Sequence, residues 1–497
     1  MHILQHPRQR PHPSSVPPDV WARVIAAAVE HVDERHRIRA FLRIMAASKT
    51  LMDAAMASPE LWSNIVVPAA RDATVISVCR LLARLPRNAV SVLGTVAPVC
   101  INAAFLKALF HHAGSLKHME VAAAPGSLCL SSLSMLGSLR TLCLSVDLTY
   151  STTGTLPPLQ ELQVVRLDIS HGTVGDAPAV LGHQPALQDL TIHAKHSSMF
   201  LESDHPVEPI TPWLARHPRL RSLELFMYHG DLNVVLKPTP ALAGITELII
   251  NGYKQPSSYD FAQTFPNLAQ ATILVHCRLD AVVPPTPVRA DAFRHWSPTL
   301  QRLRLKRVNL GPDGSPLRHL TTLTTLHITY CRVTTLALLT RLQGLRDLYI
   351  EGGCLETLDG VGALTSLHSL DANSYNLKYA GNLHLLCGLK TLKLNVSQWW
   401  NARTHWQTHS FTSSLVAMCL SDCAVDVFPE DMPIASFDSL KRLLVTGGSV
   451  HAVGPFLEAV AMCKKPPRIE WIGGSDITHE FERHYPSATR VLRRRRK

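Results

Sequence analysis

Apolar residues along this chain recur in a motif, L-x-x-L-x-L, whose copies follow one another at a nearly constant step. Five copies are clearest: Leu300-Leu303-Leu305, Leu323-Leu326-Ile328, Leu345-Leu348-Ile350, Leu367-Leu370-Ala372 and Leu389-Leu392-Leu394. The steps between their first leucines are 23, 22, 22 and 22 residues. Less regular copies precede them at Leu139-Leu142-Leu144, Leu159-Leu162-Val164, Leu187-Leu190-Ile192, Leu220-Leu223-Leu225, Ile245-Leu248-Ile250 and Leu268-Ala271-Ile273. Two more follow at Leu415-Met418-Leu420 and Leu440-Leu443-Val445, and a weak first copy at Leu116-Met119-Val121 brings the count to fourteen. The segment Arg468-Ile469-Glu470-Trp471-Ile472 is a candidate closing strand. A fixed period of this length marks an array of small structural repeats.

In each copy the last two apolar residues alternate as a short strand requires, with the residue between them facing out. One such strand cannot bury its own apolar face, whereas stacked repeats form a parallel sheet over a continuous core. The pattern therefore predicts an α/β solenoid with a parallel sheet along its concave face. The rest of each unit, such as Thr334-Thr335-Leu336-Ala337-Leu338-Leu339, is too short for a long helix. A turn or two of helix, or extended chain, is expected on the convex side. The longer steps of 28 and 33 residues around Leu187, and of 32 from Leu268 to Leu300, predict added helices or protruding loops.

Residues 16–67 break this pattern. Val16-Pro17-Pro18-Asp19-Val20-Trp21 reads as a helix start, with proline ahead of an acid in the first turn. Val20, Val24, Ala27 and Ala28 follow at helical spacing. A second helix is expected from about Ile38 to Met45 and a third from about Thr50 to Ala57, before Ser58-Pro59 interrupts.

The repeat resembles the leucine-rich-repeat family. Members place Asn or Cys three residues after the third apolar position, with another apolar residue two further on. Cys331 with Val333 and Cys423 with Val425 fit, whereas Val308, Gly353 and Tyr375 depart, so the buried hydrogen-bond ladder of the family is expected to be incomplete. The N-terminal segment resembles an F-box through Pro17, Asp19, Val20, Trp21 and Ile25, then Phe41, Leu42 and Ala47-Ser48-Lys49, and finally Ser58-Pro59-Glu60-Leu61-Trp62-Ser63-Asn64-Ile65. It departs at Val16, where leucine is usual, at Leu51, where tryptophan is common, and in the polar stretch Glu30 to Arg37. The combination implies a substrate-recognition subunit of a Skp–cullin–F-box ubiquitin ligase, with the adaptor bound by Pro17, Val20, Trp21, Val24, Ile25 and Leu42. A helical cap over the first repeat is the alternative for the same residues, because solenoids require caps.

Target binding would use the exposed strand positions, which neighbouring repeats bring into columns about 4.8 Å apart. One column reads Arg304, His327, Tyr349, Asp371, Lys393; the next reads Lys306, Thr329, Glu351, Asn373, Asn395. This mixture of charged and aromatic side chains suits protein recognition better than a phosphate-binding stripe. Singly, each is also consistent with solvated strand surface. Trp399, Trp400 and Trp406 lie in a lengthened 26-residue step and are candidate interface anchors or covers for the neighbouring core.

Composition narrows the classes. Apolar residues make up 46% of the 497 and charged residues 18%, a globular balance. No apolar run approaches the roughly 20 residues needed to span a bilayer, and Met1–Ser15 lacks the apolar core of a secretory signal. Eleven cysteines without a C-x-x-C pair read as reduced thiols, which points to cytosol or nucleus. The formal charge is +11, and the chain ends on the basic run Arg493 to Lys497. That run is either a solvated tail or a contact for nucleic acid or an import receptor. No G-x-G-x-x-G, G-x-x-x-x-G-K-[ST], H-E-x-x-H or G-x-S-x-G occurs, and the 26 histidines show no metal-ligand spacing. The expectation is a non-catalytic protein without cofactor or metal. Its organisation would be a disordered 1–15, a helical 16–67, a capped repeat array over 68–475 and a basic tail over 476–497. A structural scaffold subunit of a ribonucleoprotein or cytoskeletal assembly is the competing function.

Overall fold

In a computed structural model the described residues are 20, 23–27, 40, 43, 49–56, 58–67, 79–80, 82–85, 87–95, 103–122, 130–148, 154–194, 209–227, 235–237, 242–252, 261–275, 293–294, 296, 298–312, 314–352, 354–377, 382–395, 414–421, 439–446, 466–472 and 492–494. The chain divides into two compact units, Met1–Tyr228 with Val234–Leu236 and His229–Asn233 with Lys237–Lys497.

In the first unit, helix α1 (Lys49–Met56) and a 3-10 turn at Pro59–Trp62 lead into strand β1 (Asn64–Val67). The junction is pinned locally: Ser58 Oγ donates to the Ala54 carbonyl at 2.9 Å, and buried Trp62 donates from Nε1 to the Ala55 carbonyl at 2.8 Å. Residues 64–67 thus leave the helical segment and begin the sheet. Strands β2 (Val92–Thr95), β3 (His118–Ala122), β4 (Thr141–Val146), β5 (Val164–Ile169), β6 (Asp189–Ala194) and β7 (Ser222–Met227) follow, each parallel to the one before. Alternation is strict: Leu142, Leu144 and Val146 of β4 are buried, and Thr141, Cys143 and Ser145 are not. β1 and β2 precede the first copy read from the sequence. They were missed because Asn64-Ile65-Val66-Val67 and Val92-Leu93-Gly94-Thr95 carry no L-x-x-L-x-L.

The register corrects one copy. Leu142 and Leu144 pair with Val165 and Leu167, so the motif there is Leu162-Val165-Leu167 and not Leu159-Leu162-Val164. Leu159 is also buried, but it serves the preceding turn, where its backbone N–H is held by the side chain of Gln184. A run in which leucines stand three apart twice over offers two frames, and only strand alternation selects between them. Val164 consequently sits half-exposed, and Arg166, not Gln163, occupies the outward position.

The second unit continues the same plan through β8 (Glu247–Gly252), β9 (Gln270–Val275), β10 (Arg302–Lys306), β11 (Thr325–Thr329), β12 (Asp347–Glu351), β13 (Ser369–Asn373), β14 (Thr391–Asn395), β15 (Ala417–Ser421), β16 (Arg442–Thr446), β17 (Arg468–Ile472) and β18 (Leu492–Arg494). All the described pairs are parallel and in register. The expected closing strand at 468–472 exists but does not close the array, because residues 492–494 of the basic tail add a further strand. The described repeats therefore have leucine-rich-repeat architecture: one strand, then, where it is described, a return segment, with leucines stacked on those of the neighbours.

The return segments of the regular repeats are 3-10 turns at Ser315–His319, Ala337–Arg341, Val361–Ala363 and Leu383–Leu385, stacked in sequence as the short spacing predicts. Short α-helices replace them in the lengthened steps at Ala177–Leu181 (α2) and Thr211–Leu214 (α3), and also at Phe261–Thr264 (α4) in a step of ordinary length. In the longest described repeat of the second unit, buried Phe293 and Trp296 fold inward, Trp296 lying 4.3 Å from the Phe261 ring and 4.9 Å from that of Phe293. Each buried leucine contributes roughly 1.5–3 kcal/mol, so the ladder of stacked leucines dominates stability.

Two family-like details appear at the strand ends. Arg307, Tyr330 and Gly352 occupy one repeat position, all with positive φ (58°, 53° and 65°). Their N–H groups donate to the carbonyls of Thr329, Glu351 and Asn373 on the next strand, at 2.7–2.8 Å. Cys331 is buried, with Sγ 3.7 Å from the Leu305 carbonyl, and burial pushes its thiol up to about 12. Val308 at the equivalent point is buried without such a bond to make, so the polar ladder is incomplete there, as its sequence implies.

Candidate functional site

Strand alternation sends one set of side chains into the leucine core and the other to the opposite face of the sheet, and the pairing register decides which of the latter meet. Arg304, His327, Tyr349, Asp371 and Lys393 are successive register partners across β10–β14, and Lys306, Thr329, Glu351 and Asn373 form the next column. The five-residue column read from the sequence is thus brought together as one row. It continues through Cys419, Leu444 and Glu470.

The row is internally bonded. Lys393 Nζ lies 3.0 Å from Asp371 Oδ2 and 6.0 Å from the centre of the Tyr349 ring. The rings of Tyr349 and His327 stack with centroids 5.2 Å apart. Tyr349 donates its hydroxyl to Glu351 Oε2 at 3.0 Å, and Asn395 Nδ2 donates to Asn373 Oδ1 at 3.1 Å. Such cross-strand contacts contribute roughly 0.2–1 kcal/mol each. They hold side chains in fixed rotamers, which lowers the entropy lost when a ligand binds.

Burial sets the protonation states. It raises the Asp371 carboxyl although the Lys393 ammonium opposes the shift. Burial and the hydrogen bond to Glu351 push the Tyr349 hydroxyl up to about 12. Burial, then the charge of Arg304, lower the His327 imidazole, so the ring is neutral at pH 7. Asp371 Oδ1 is buried without a hydrogen bond, consistent with the raised carboxyl. Thr329 and Asn395 of the second column are buried and lie beneath the surface a ligand would touch.

A second cluster of this kind lies in the first unit and was not read from the sequence. Asp168 and His193 are register partners with Oδ1 and Nδ1 2.8 Å apart, and Arg166 Nε lies 3.5 Å from the same carboxylate oxygen. Phe226, one strand on, packs edge-on to the His193 ring at 3.9 Å. Thr191 donates to Glu224 Oε2 at 3.1 Å. The signal was present: these residues fall at outward positions once the frame of the Leu162 repeat is set. At the far end of the second unit, buried Glu470 accepts from Arg442 Nη2 and Arg468 Nε, both at 3.2 Å.

Of the expected adaptor residues, Val20 and Val24 are 41% and 49% exposed on a helical stretch, whereas Ile25 is 1% exposed and belongs to the core. Pro17, Trp21 and Leu42 lie outside the described residues, as do Trp399, Trp400, Trp406 and the Cys423–Val425 copy of the consensus. Among the described residues no group of three His, Cys, Asp or Glu side chains could hold a metal ion, and no helix is long and apolar enough to cross a membrane.

No family profile matches the chain, and neither does any curated protein sequence. Solved structures do. An internalin from Listeria monocytogenes is 14% identical, over 84% of this chain and 96% of that one, with a TM-score of 0.41. A leucine-rich-repeat protein from Leptospira interrogans is likewise 14% identical, over 83% and 97%, with a TM-score of 0.41. The Toll–Spatzle complex of Drosophila is 12% identical, over 90% and 62%, with a TM-score of 0.45. At TM-scores below 0.5, the leucine-rich-repeat architecture rests on the strand register and burial pattern of this chain, and these proteins are what it is loosely similar to.

Proposed function

We propose that this chain is a non-catalytic protein-binding subunit that recognises a target through the outward face of its repeats and delivers it to a Skp–cullin–F-box ubiquitin ligase. The observation that carries target binding is the row Arg304–His327–Tyr349–Asp371–Lys393, in which His327, Tyr349, Asp371 and Lys393 are held by one another and half-exposed beside the exposed Arg304. Rigid aromatic groups beside charges are the usual anchors of protein recognition.

The adaptor half of the proposal rests on the F-box resemblance of residues 16–67. It is supported by Val20 and Val24, two apolar side chains in helical conformation that are left exposed while Ile25 turns inward. An apolar helix face of this kind docks onto a partner groove. The adaptor is a Skp-type protein, and the compartment would be cytosol or nucleus.

The test is binding of the purified full-length chain to a Skp-type adaptor, with wild type beside Val20→Asp/Val24→Asp. Both positions are exposed, so the double substitution should leave the fold intact. Binding lost in the variant supports the receptor role. A folded wild type that does not bind the adaptor refutes it, and leaves residues 16–67 as a cap on the array.

A further inference from the structure

The row described above is balanced in charge from β11 to β14, but β10 is not. Its outward positions are Arg302, Arg304 and Lys306, and Arg307 follows directly. Arg302 and Arg304 are exposed, and Lys306 and Arg307 half-exposed. None of the four side chains makes an ion pair or a hydrogen bond with another described residue. The neighbours in register explain why. On β9 they are Gln270, Thr272 and Leu274, and on β11 Thr325, His327 and Thr329, none of them acidic. The first acids in register, Glu247 on β8 and Asp347 and Glu351 on β12, are two strands away on either side, about 10 Å at ~4.8 Å per strand. On the β12 side both are already engaged, Asp347 by Thr325 Oγ1 and Glu351 by the Tyr349 hydroxyl. Arg304 alone is close enough to act on the neighbouring rings, lowering His327 and opposing the rise of Tyr349.

An array of like charges on one strand, with no compensating acid beside it, repels itself until an anion arrives. We propose that β10 is the specificity element of the target-binding face, and that it reads a short extended segment of a target protein carrying anionic side chains at alternate positions. The spacing fits. Alternate residues of a parallel strand are about 6.6 Å apart, so Arg302, Arg304 and Lys306 place three cations over roughly 13 Å. Same-side residues of an extended peptide repeat at the same interval, and each cation meets one carboxylate or phosphorylated side chain. Arginine at the first two positions favours bidentate contacts with such groups. His327 and Tyr349, stacked one and two strands over, border the track and supply an aromatic surface for the side chains between the anions. A nucleic-acid backbone fits less well. It needs a continuous run of neutralised phosphates, and a strand of nucleotides crossing from β10 meets Asp347, Glu351 and Asp371 within three strands.

This inference rests on the outward face being the target-binding surface and is independent of the adaptor. It is tested with the full-length chain and labelled twelve-residue Gly/Ser peptides carrying three charged residues at alternate positions: glutamate, phosphoserine or lysine. An oligouridylate of the same length is the fourth probe. Fluorescence anisotropy is followed at low and physiological salt, with Arg302→Glu/Arg304→Glu/Lys306→Glu beside Arg341→Glu, an exposed cation on a return turn. Binding of the glutamate or phosphoserine peptide, weakened about tenfold or more by the triple reversal and untouched by Arg341→Glu, supports the proposal. Which of the two anionic peptides binds more tightly separates a carboxylate from a phosphorylated source. Equal binding of the lysine peptide, binding that survives the triple reversal, or no peptide binding at all overturns it. Oligouridylate binding tighter than either anionic peptide and lost in the triple variant overturns it in favour of a nucleic-acid surface. Since the adaptor measurement probes Val20 and Val24, failure there leaves this result intact, and failure here leaves the receptor role standing.

Discussion

Gln184→Ala should open the first unit far more than its single side chain suggests. Gln184 is fully buried and ties together three pieces of chain. Its Nε2 donates to the carbonyls of Leu181 at 2.7 Å, Pro157 at 3.1 Å and Leu156 at 3.4 Å, and its Oε1 accepts from the Leu159 N–H at 3.0 Å. Its backbone N–H donates to Nε2 of His217, whose Nδ1 side donates to the Trp213 carbonyl at 2.9 Å. Truncation leaves the backbone bond in place but strands the Leu159 N–H and the Pro157 and Leu181 carbonyls. A buried polar group deprived of its partner costs about 1–3 kcal/mol. Three such groups at the low end, allowing for partial relaxation, give roughly 3 kcal/mol, about a hundredfold in an opening equilibrium.

Hydrogen exchange read by mass spectrometry reports this locally. Amides in 156–192 should exchange about a hundredfold faster in Gln184→Ala, and those in 325–351 of the second unit should be unchanged. His183→Ala, an exposed neighbour, should shift exchange by less than about 0.5 kcal/mol. A change under about fivefold in Gln184→Ala would refute the reasoning, because the three groups would then be re-solvated by water entering the space at little cost.

Two further outcomes follow from the same structure. Burial lowers the pKa of His217, with the Trp213 carbonyl opposing and His183 and Arg216 assisting. The unfolded chain therefore takes the proton first: stability is complete above the ordinary value of 6.5 and falls as pH drops below it. His112 and His327, also lowered by burial, act in the same direction. Protection of the Gln184 and Leu187 amides, corrected for intrinsic rates, should decrease from pH 7.5 to pH 5.5, and constant protection would sink the assignment. At Gly352, φ is +65° and a Cβ would lie 2.5 Å from the Tyr330 ring. Gly352→Ala should destabilise by about 1–3 kcal/mol, and adding Tyr330→Ala should recover only the steric part; a thermal shift smaller than that of Leu→Ile core controls would show the loop yields freely.

Leucine spacing made the second unit legible because 22-residue steps leave one frame open, and five regular copies by themselves set the row from Arg304 to Lys393. The first unit resisted for a physical reason. Its repeats lengthen to make room for α2 and α3, and leucines three apart then satisfy turn and strand alike, so the frame at Leu159 slipped by three residues. That slip hid Arg166 and Asp168, and with them the contact to His193. The ends of the array were illegible for another reason: β1, β2 and β18 pair through backbone groups, which any sequence supplies, and their apolar residues need not be leucine.

Charge at outward positions is a different kind of information. A core leucine is specified by its own repeat, whereas whether a cation is compensated depends on residues about 22 positions away on either side. Arg302, Arg304 and Lys306 read singly as ordinary solvated strand. Only pairing with Gln270, Thr272 and Leu274 on one side and Thr325, His327 and Thr329 on the other shows that no acid is near. The contrast with Lys393 is direct, since its register neighbour Asp371 lies 3.0 Å away. A cation already paired must give up that partner before it can bind a new anion, and a cation without one need not. The same sheet therefore holds a self-satisfied region at β13–β14 and a receptive one at β10, and binding should begin at β10.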